Sequence, residues 1–212
     1  MDLNLLIRGM IIGFSIAAPV GPIGVLCIRR TLAEGRAYGL ASGLGAASAD
    51  AFFGTIAALG LTLVANFLAE QQAWLSLIGG SYLLYLGFTT FRSKPAERSA
   101  EAQGKGLLGA YTSTLFLTLT NPLTILSFAA VFAGLGLAAV AGNYVAASAL
   151  VAGVFIGSAA WWLTLCLLVG WLRTRLDAGA LRWVNRLAGL IIAGFGLWAL
   201  WQARVGAIPA AG

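Results

Sequence analysis

Residues 107–138 read LLGAYTSTLFLTLTNPLTILSFAAVFAGLGLA, and residues 144–172 read YVAASALVAGVFIGSAAWWLTLCLLVGWL. No Asp, Glu, Lys or Arg occurs anywhere between positions 107 and 172. One helix needs about 20 consecutive apolar residues to cross the hydrocarbon core of a bilayer. This stretch is therefore long enough for two or three membrane spans, and it predicts an integral membrane protein.

The composition of the whole chain supports this interpretation. Of the 212 residues, 60% are hydrophobic and 9% are charged, whereas soluble domains carry about 25% charged residues. Mean hydropathy is +0.91, so a water-soluble globular protein is excluded. The net charge of +6 would favour nucleic acid only on a soluble basic face, and we expect no such partner. The chain has no His and two Cys, which excludes a multi-His or Cys-rich metal site.

Short charged clusters separate the apolar segments. The resulting prediction is an all-α membrane protein with six transmembrane helices, at residues 3–28, 37–68, 73–91, 107–138, 144–172 and 187–203.

The positions of the 13 Lys and Arg residues decide between two and three helices in the uncharged stretch. Eleven of these residues form three clusters. The clusters are Arg29, Arg30 and Arg36; Arg92, Lys94, Arg98 and Lys105; and Arg173, Arg175, Arg182 and Arg186. With two helices, all three clusters fall on one side of the membrane, opposite Arg8 and Arg204, whereas three helices would split them. Because basic residues concentrate in cytoplasmic loops, we predict three cytoplasmic clusters and both termini outside the cytoplasm.

Three helices in each half predict two inverted repeats within a single membrane domain. Repeat one covers about residues 1–91, a cytoplasmic loop covers about 92–106, and repeat two covers about 107–212. The first helix of each half is interrupted near its middle, by Pro19-Val20-Gly21-Pro22 and by Asn121-Pro122. A simple proline kink would explain one break, but paired breaks in corresponding halves are typical of the central binding site of secondary transporters.

A proline break frees backbone polar groups, which must be satisfied by protein or by a water-lined cavity. The half-helix that follows presents free N–H groups and a positive dipole end, and these stabilise an anionic group such as a carboxylate. Asn121 is expected either to cap its half-helix or to donate its amide to a ligand. The predicted substrate-binding residues are Pro19, Gly21, Pro22, Gly24, Asn121, Pro122 and Thr124.

Asp50 is the one ionisable residue well inside a predicted span. A charge at this depth costs about 2.5 to 3.5 kcal/mol on insertion scales and usually marks a pathway, a counter-ion or a proton relay. We therefore predict that Asp50 couples transport to protons or pairs with a substrate ammonium. The alternative is a protonated Asp that only packs against a neighbouring helix. Tyr82, Tyr85 and Trp161 are weaker candidates for cavity lining. Trp161 would also offer a cation–π surface, although packing is the more common role of a large apolar residue on a helix.

Four motifs in order and in register resemble the lysine exporter (LysE/RhtB) translocator family. They are Pro19-Val20-Gly21-Pro22, Gly43-Leu44-Gly45 followed by Asp50, the stretch at 79–87 (GGSYLLYLG), and Asn121-Pro122. The resemblance implies an inner-membrane exporter of amino acids or related small metabolites, with six helices. It also implies that the proton motive force drives export and that the protein forms a homodimer. Its partners would be the substrate, protons and the lipid bilayer, with no cofactor and no enzyme activity.

Three other function classes stay open at this stage, and one of them is a passive channel. A membrane thiol–disulfide electron carrier is conceivable because Cys27 lies just past the first break, although Cys166 falls in helix five and not in helix four. A metal or small-cation exporter is disfavoured by the lack of His and of a second buried acid.

Overall fold

The computed structural model describes residues 3–19, 21–58, 67, 70–92, 95–121, 123–125, 127–128, 143–173 and 178–206. Within these ranges the regular structure is entirely helical, which confirms the predicted all-α class. The main helices are α1 (Leu3–Ala17), α2 (Pro22–Ala33), α3 (Arg36–Ala58), α4 (Gln72–Arg92), α5 (Pro95–Leu119), α6 (Tyr144–Arg173) and α7 (Ala178–Gly206).

The first predicted span is broken where the prolines stand. α1 ends at Ala17 and α2 begins at Pro22, with their axes bent by 81°. Pro22 occupies the first helical position, where its missing N–H costs least. The second helical segment runs to Ala33, five residues beyond the predicted end of the span at Ile28.

Two glycines with positive φ mark further breaks. Gly35 (φ 113°) follows α2 and donates its N–H to the carbonyl of Arg30 at 3.0 Å, which ends that helix. Gly106 (φ 59°) divides α5 into residues 95–105 and an apolar part, Gly106–Leu119. The sequence predicted a loop at about 92–106, but this segment is helical from Pro95 onward. Pro95 stands in the first turn, and the Ala, Glu and Gln residues after it are compatible with a helix.

Two described helices are long and apolar enough to cross a membrane, Tyr144–Leu172 and Gly179–Arg204, and the bent pair α1 and α2 makes a third candidate. The first of these coincides with the predicted span 144–172, and the second begins eight residues earlier than predicted. The predicted spans 37–68 and 107–138 extend beyond the described residues. The described part therefore supports a multi-pass helical protein.

The helices pack in pairs around α2. α1 lies against α6, α3 lies against both α5 and α6, and α4 lies against α7, while α2 contacts α3, α6 and α7. Small residues allow the backbones to approach closely, as is common in membrane helices. A Cβ added to Gly9, Gly13 or Gly157 would overlap backbone atoms of the opposite helix in the α1–α6 pair.

Candidate functional site

The two helix breaks lie next to each other. A Cβ built on Gly21, in the first break, would stand 4.0 Å from Cδ2 of Leu123, in the second. Pro22 and Gly24 are buried, and Gly21 is half-buried. Two residues that are 102 positions apart in the sequence thus lie close together, as expected if both breaks contribute to a single site.

Asn121 caps the helical turn that follows the second break. Its Oδ1 accepts a hydrogen bond from the N–H of Leu123 at 3.2 Å, and its Nδ2 donates to Oγ1 of Thr124 at 3.0 Å. The backbone N–H of Ile125 also donates to the Asn121 carbonyl at 3.2 Å. The capping role anticipated from the sequence is therefore observed. Pro122 lies outside the described residues.

Asp50 lies on α3 with 3% of its surface exposed. The hydroxyl of Ser158, on α6, donates to its Oδ2 at 2.7 Å. The indole Nε1–H of Trp162, one turn further along α6, donates to the same Ser158 oxygen at 3.2 Å. The carboxyl group is thus joined to a neighbouring helix through Ser158 and Trp162, neither of which is among the predicted site residues.

Trp162 is held in place by a glycine on α3. A Cβ added to Gly43 would overlap the Cβ of Trp162, so the ring reaches Ser158 only because residue 43 has no side chain. Gly43 precedes Asp50 by seven residues, which is two helical turns, so both face α6. The Gly-Leu-Gly motif and the acid after it therefore belong to one structural unit.

The aromatic candidates have different environments. Tyr82 is half-buried, packs against the core and meets the ring of Phe116 edge-on at 5.7 Å. Tyr85 stacks on Tyr82 at 6.3 Å but is 59% exposed, so it lies at the edge of this cluster. Trp161 is half-buried and contacts Phe14 edge-on at 5.3 Å. Tyr82 and Trp161 are therefore half-buried against the core, whereas Tyr85 is exposed.

Two arginines of the basic clusters, both on α2, are buried. Arg29 is 2% exposed and Arg30 is 8% exposed. Arg29 donates Nε–H to Oδ1 of Asn185 at 3.3 Å and pairs with Oε1 of Glu34 at 3.0 Å. The positive-inside rule counts charges and carries no information on burial, so the sequence could not separate these two residues from exposed Arg36.

The Arg30 guanidinium makes four hydrogen bonds with uncharged groups of α3 and α5. Nη1 donates to Oγ of Ser42 at 2.7 Å, to Oγ1 of Thr114 at 2.8 Å and to the carbonyl of Ala110 at 2.9 Å. Nη2 donates to Oγ of Ser113 at 2.8 Å. These bonds fasten the end of α2 to two other helices.

The two cysteines, Cys27 and Cys166, are both buried and form no disulfide with each other. Thr31 Oγ1 lies 3.5 Å from Sγ of Cys166 and donates to the carbonyl of Cys27 at 2.8 Å. Cys166 is on α6, so the pair does not occupy corresponding positions in the two broken helices. Among the described residues, no group of three His, Cys, Asp or Glu side chains is arranged to hold a metal ion.

Residues 14–203 match the protein family described as LysE type translocator. The chain belongs to this family. A Bacillus subtilis (strain 168) protein named "Putative amino acid efflux protein YcgF" is 26% identical to this LysE type translocator over 202 residues, which cover 92% of the chain and 95% of the relative. An Escherichia coli (strain K12) protein named "Uncharacterized membrane protein YahN" is 29% identical over 108 residues, which cover 50% of the chain and 48% of that protein. No solved structure gives a significant match.

The family predicted from the sequence motifs is therefore confirmed. As a LysE type translocator with apolar helices, the chain is a multi-pass membrane protein, and its family consists of transporters and not of enzymes.

Proposed function

We propose that this LysE type translocator exports amino acids or related small metabolites from the cytoplasm and that protons entering the cell drive the export. The observation that carries the proposal is a buried carboxyl, Asp50, located at the crossing of α3 and α6 in a chain of a translocator family. Acidic residues inside membrane spans mark ion and proton pathways. The B. subtilis relative, named for amino acid efflux, supports the substrate class.

The helix contacts support an architecture of two inverted three-helix repeats. Let α1 correspond to α5, α3 to α6 and α4 to α7. If each helix is replaced by its counterpart in the other half, the α1–α6 contact becomes the α5–α3 contact, which is also observed. The α3–α6 and α4–α7 contacts each join two counterparts, so the replacement leaves them unchanged. A contact pattern with this property is expected when a pseudo-two-fold axis relates the halves.

Helix directions support two spans, and not three, in the uncharged stretch. Gly9 lies beside Gly153 and Met10 beside Gly157, so α1 and α6 advance in the same direction. If α6 is the fifth span, both helices run from the outside inward, as this contact requires. If α6 were the sixth span, the two helices would be antiparallel. The two-span count also leaves both termini outside the cytoplasm and the basic clusters inside.

The paired breaks are the proposed site for the substrate carboxylate. α2 begins at Pro22 and a second helical turn begins after Asn121, and the two starting points are adjacent. Each helix start offers backbone N–H groups and a positive dipole end. The proposed binding residues are those predicted from the sequence, Pro19, Gly21, Pro22, Gly24, Asn121, Pro122 and Thr124. Tyr82 is the proposed aromatic wall; Trp161, which packs against the same core, and the exposed Tyr85 are further candidates.

Asp50 is the proposed coupling residue. A proton taken up from outside would neutralise the carboxyl, and its release to the cytoplasm would restore the charge that attracts a substrate ammonium. The protein would act in the inner membrane, as a homodimer, with the bilayer, protons and substrate as its partners and without a cofactor.

The proposal is tested by export from cells fed with dipeptides, followed by mass spectrometry of amino acids inside and outside the cells. Cells expressing the wild-type protein should release one or more amino acids faster than cells without it. Asp50→Asn should release them at the rate of cells without the protein, at equal abundance in the membrane. Glu70→Gln is the matched control, because it makes the same change at an exposed position and should export like the wild type. Export by Asp50→Asn at the wild-type rate would reject the role of Asp50.

A further inference from the structure

Asp50, Ser158 and Trp162 form a hydrogen-bond chain whose direction is fixed by chemistry. The indole N–H of Trp162 can donate but cannot accept. The Ser158 oxygen therefore serves as its acceptor at 3.2 Å, and the single hydroxyl proton of Ser158 is directed to Oδ2 of Asp50 at 2.7 Å.

The Ser158 proton has no competing acceptor on its own helix. Serine and threonine hydroxyls within helices commonly donate to the carbonyl four residues earlier, as Thr164 of α6 does to Ala160 at 2.8 Å. Ser158 makes no such bond among the described residues, and its hydroxyl is fully buried. Its proton is thus committed to Asp50.

We propose that Ser158 and Trp162 are positioning residues for the Asp50 carboxyl: the chain Trp162 to Ser158 to Asp50 fixes Oδ2 as a hydrogen-bond acceptor and stabilises the ionised carboxylate. This inference rests on the proposed function of Asp50 as the coupling residue. A proton bound by Asp50 then resides on Oδ1, because Oδ2 is already occupied by the Ser158 proton. Loss of the chain makes the carboxyl easier to protonate.

The other charged and titratable groups described on the helices packed against α3 do not contact the Asp50 carboxyl. On α2, Arg30 is bonded to Ser42, eight residues from Asp50 and about 12 Å away along α3. Tyr111 of α5 donates to Ser48, and Arg8 of α1 is exposed. Cys166 of α6 lies eight residues beyond Ser158 and contacts Thr31. Among the described residues, the Ser158 hydroxyl is the group that hydrogen-bonds the buried Asp50 carboxyl.

The test is an infrared titration of the purified full-length protein in lipid vesicles, which needs no knowledge of the substrate. The C=O band of the protonated carboxyl is assigned by its absence in Asp50→Asn. In Ser158→Ala, the midpoint for loss of this band should move to higher pH by about one unit, because a hydrogen bond to a charged group is lost. In Trp162→Phe the shift should have the same direction and be smaller, since Ser158 stays but its oxygen is free to accept a proton.

Matched controls separate this effect from general disturbance. Ser148→Ala removes an exposed hydroxyl of the same helix that bonds only its own backbone, and Trp201→Phe changes an exposed indole of α7. Both should titrate like the wild type, and Ser158→Thr, which keeps the hydroxyl, should do so as well. If Ser158→Ala does not fold, Trp162→Phe alone decides the question.

An unchanged midpoint in Ser158→Ala, or in Trp162→Phe when only that variant folds, would overturn the inference. This result is independent of the proposed function. A shifted infrared midpoint combined with wild-type export by Asp50→Asn would keep the hydrogen-bond chain and reject the coupling role.

Discussion

Two buried charged side chains, Arg30 and Asp50, are held in opposite ways. Among the described residues, the guanidinium of Arg30 donates to four uncharged groups of α3 and α5, whereas the carboxyl of Asp50 accepts a hydrogen bond from Ser158. Arginine is always charged in proteins, so its burial requires a permanent and complete set of partners. An aspartate can change its charge, and a sparse set of partners allows it to do so. The difference suggests a structural role for Arg30 and a functional one for Asp50.

Replacement of Asp50 should affect export, whereas replacement of Arg30 should affect stability. The largest expected effect is the loss of export in Asp50→Asn. Asp50→Asn should reduce export to background while changing the free energy of unfolding by no more than about 1 kcal/mol, because the amide removes a buried charge. The measurements are amino-acid release from cells and denaturant unfolding in detergent. If Asp50→Asn failed to fold, the loss of export would follow from the loss of structure, and this result would contradict the functional role of Asp50.

Arg30→Met should have the reverse effect. The change leaves the hydroxyls of Ser42, Ser113 and Thr114 without their donor, and we expect a loss of at least about 3 kcal/mol in the free energy of unfolding. Arg30→Lys should recover part of the loss, since an ammonium keeps the charge but lacks the planar fork. Denaturant unfolding of the three proteins measures both steps. A fully stable Arg30→Met protein would show that these bonds do not hold α2 in place.

A change at Gly43 tests how Trp162 is positioned beside Ser158 and Asp50. Gly43→Val should push Trp162 away from Ser158, because a Cβ at position 43 overlaps the Trp162 side chain. Overpacking of this kind costs about 1 to 3 kcal/mol. The expected readouts are a lower free energy of unfolding and a change in Trp fluorescence. Gly194→Val is the matched control, because a Cβ there meets no described atom within 4 Å.

The smallest expected effect is at the second helix break. Asn121→Ala removes the cap on the turn that follows and should lower the free energy of unfolding by about 1 kcal/mol. If the break binds the substrate, the KM for export should also rise, with little change in the maximal rate. Asn121→Asp keeps the capping oxygen and should retain stability. Unchanged KM in Asn121→Ala would remove this residue from the proposed site.

The sequence predicted the all-α class, the family, the first break and the burial of Asp50, because each depends on local features: apolar length, proline and an isolated charge. Other features depend on contacts between distant segments. The burial of Arg29 and Arg30 could not be predicted, since nothing local shows that α3 and α5 supply acceptors for Arg30. Ser158 was missed for the same reason, because one serine in an apolar helix is ordinary until α3 brings Asp50 beside it.

Proton coupling through Asp50 is the central claim, and proteoliposomes test it most directly. Vesicles are loaded with a pH-sensitive dye and with the labelled amino acid that cells expressing the wild-type protein release, and a pH gradient is then imposed. In wild-type vesicles, the gradient should drive uphill amino-acid movement with a proton flux in the opposite direction, and Asp50→Asn should abolish both. Gradient-driven uphill movement at the wild-type rate in Asp50→Asn vesicles would contradict the account.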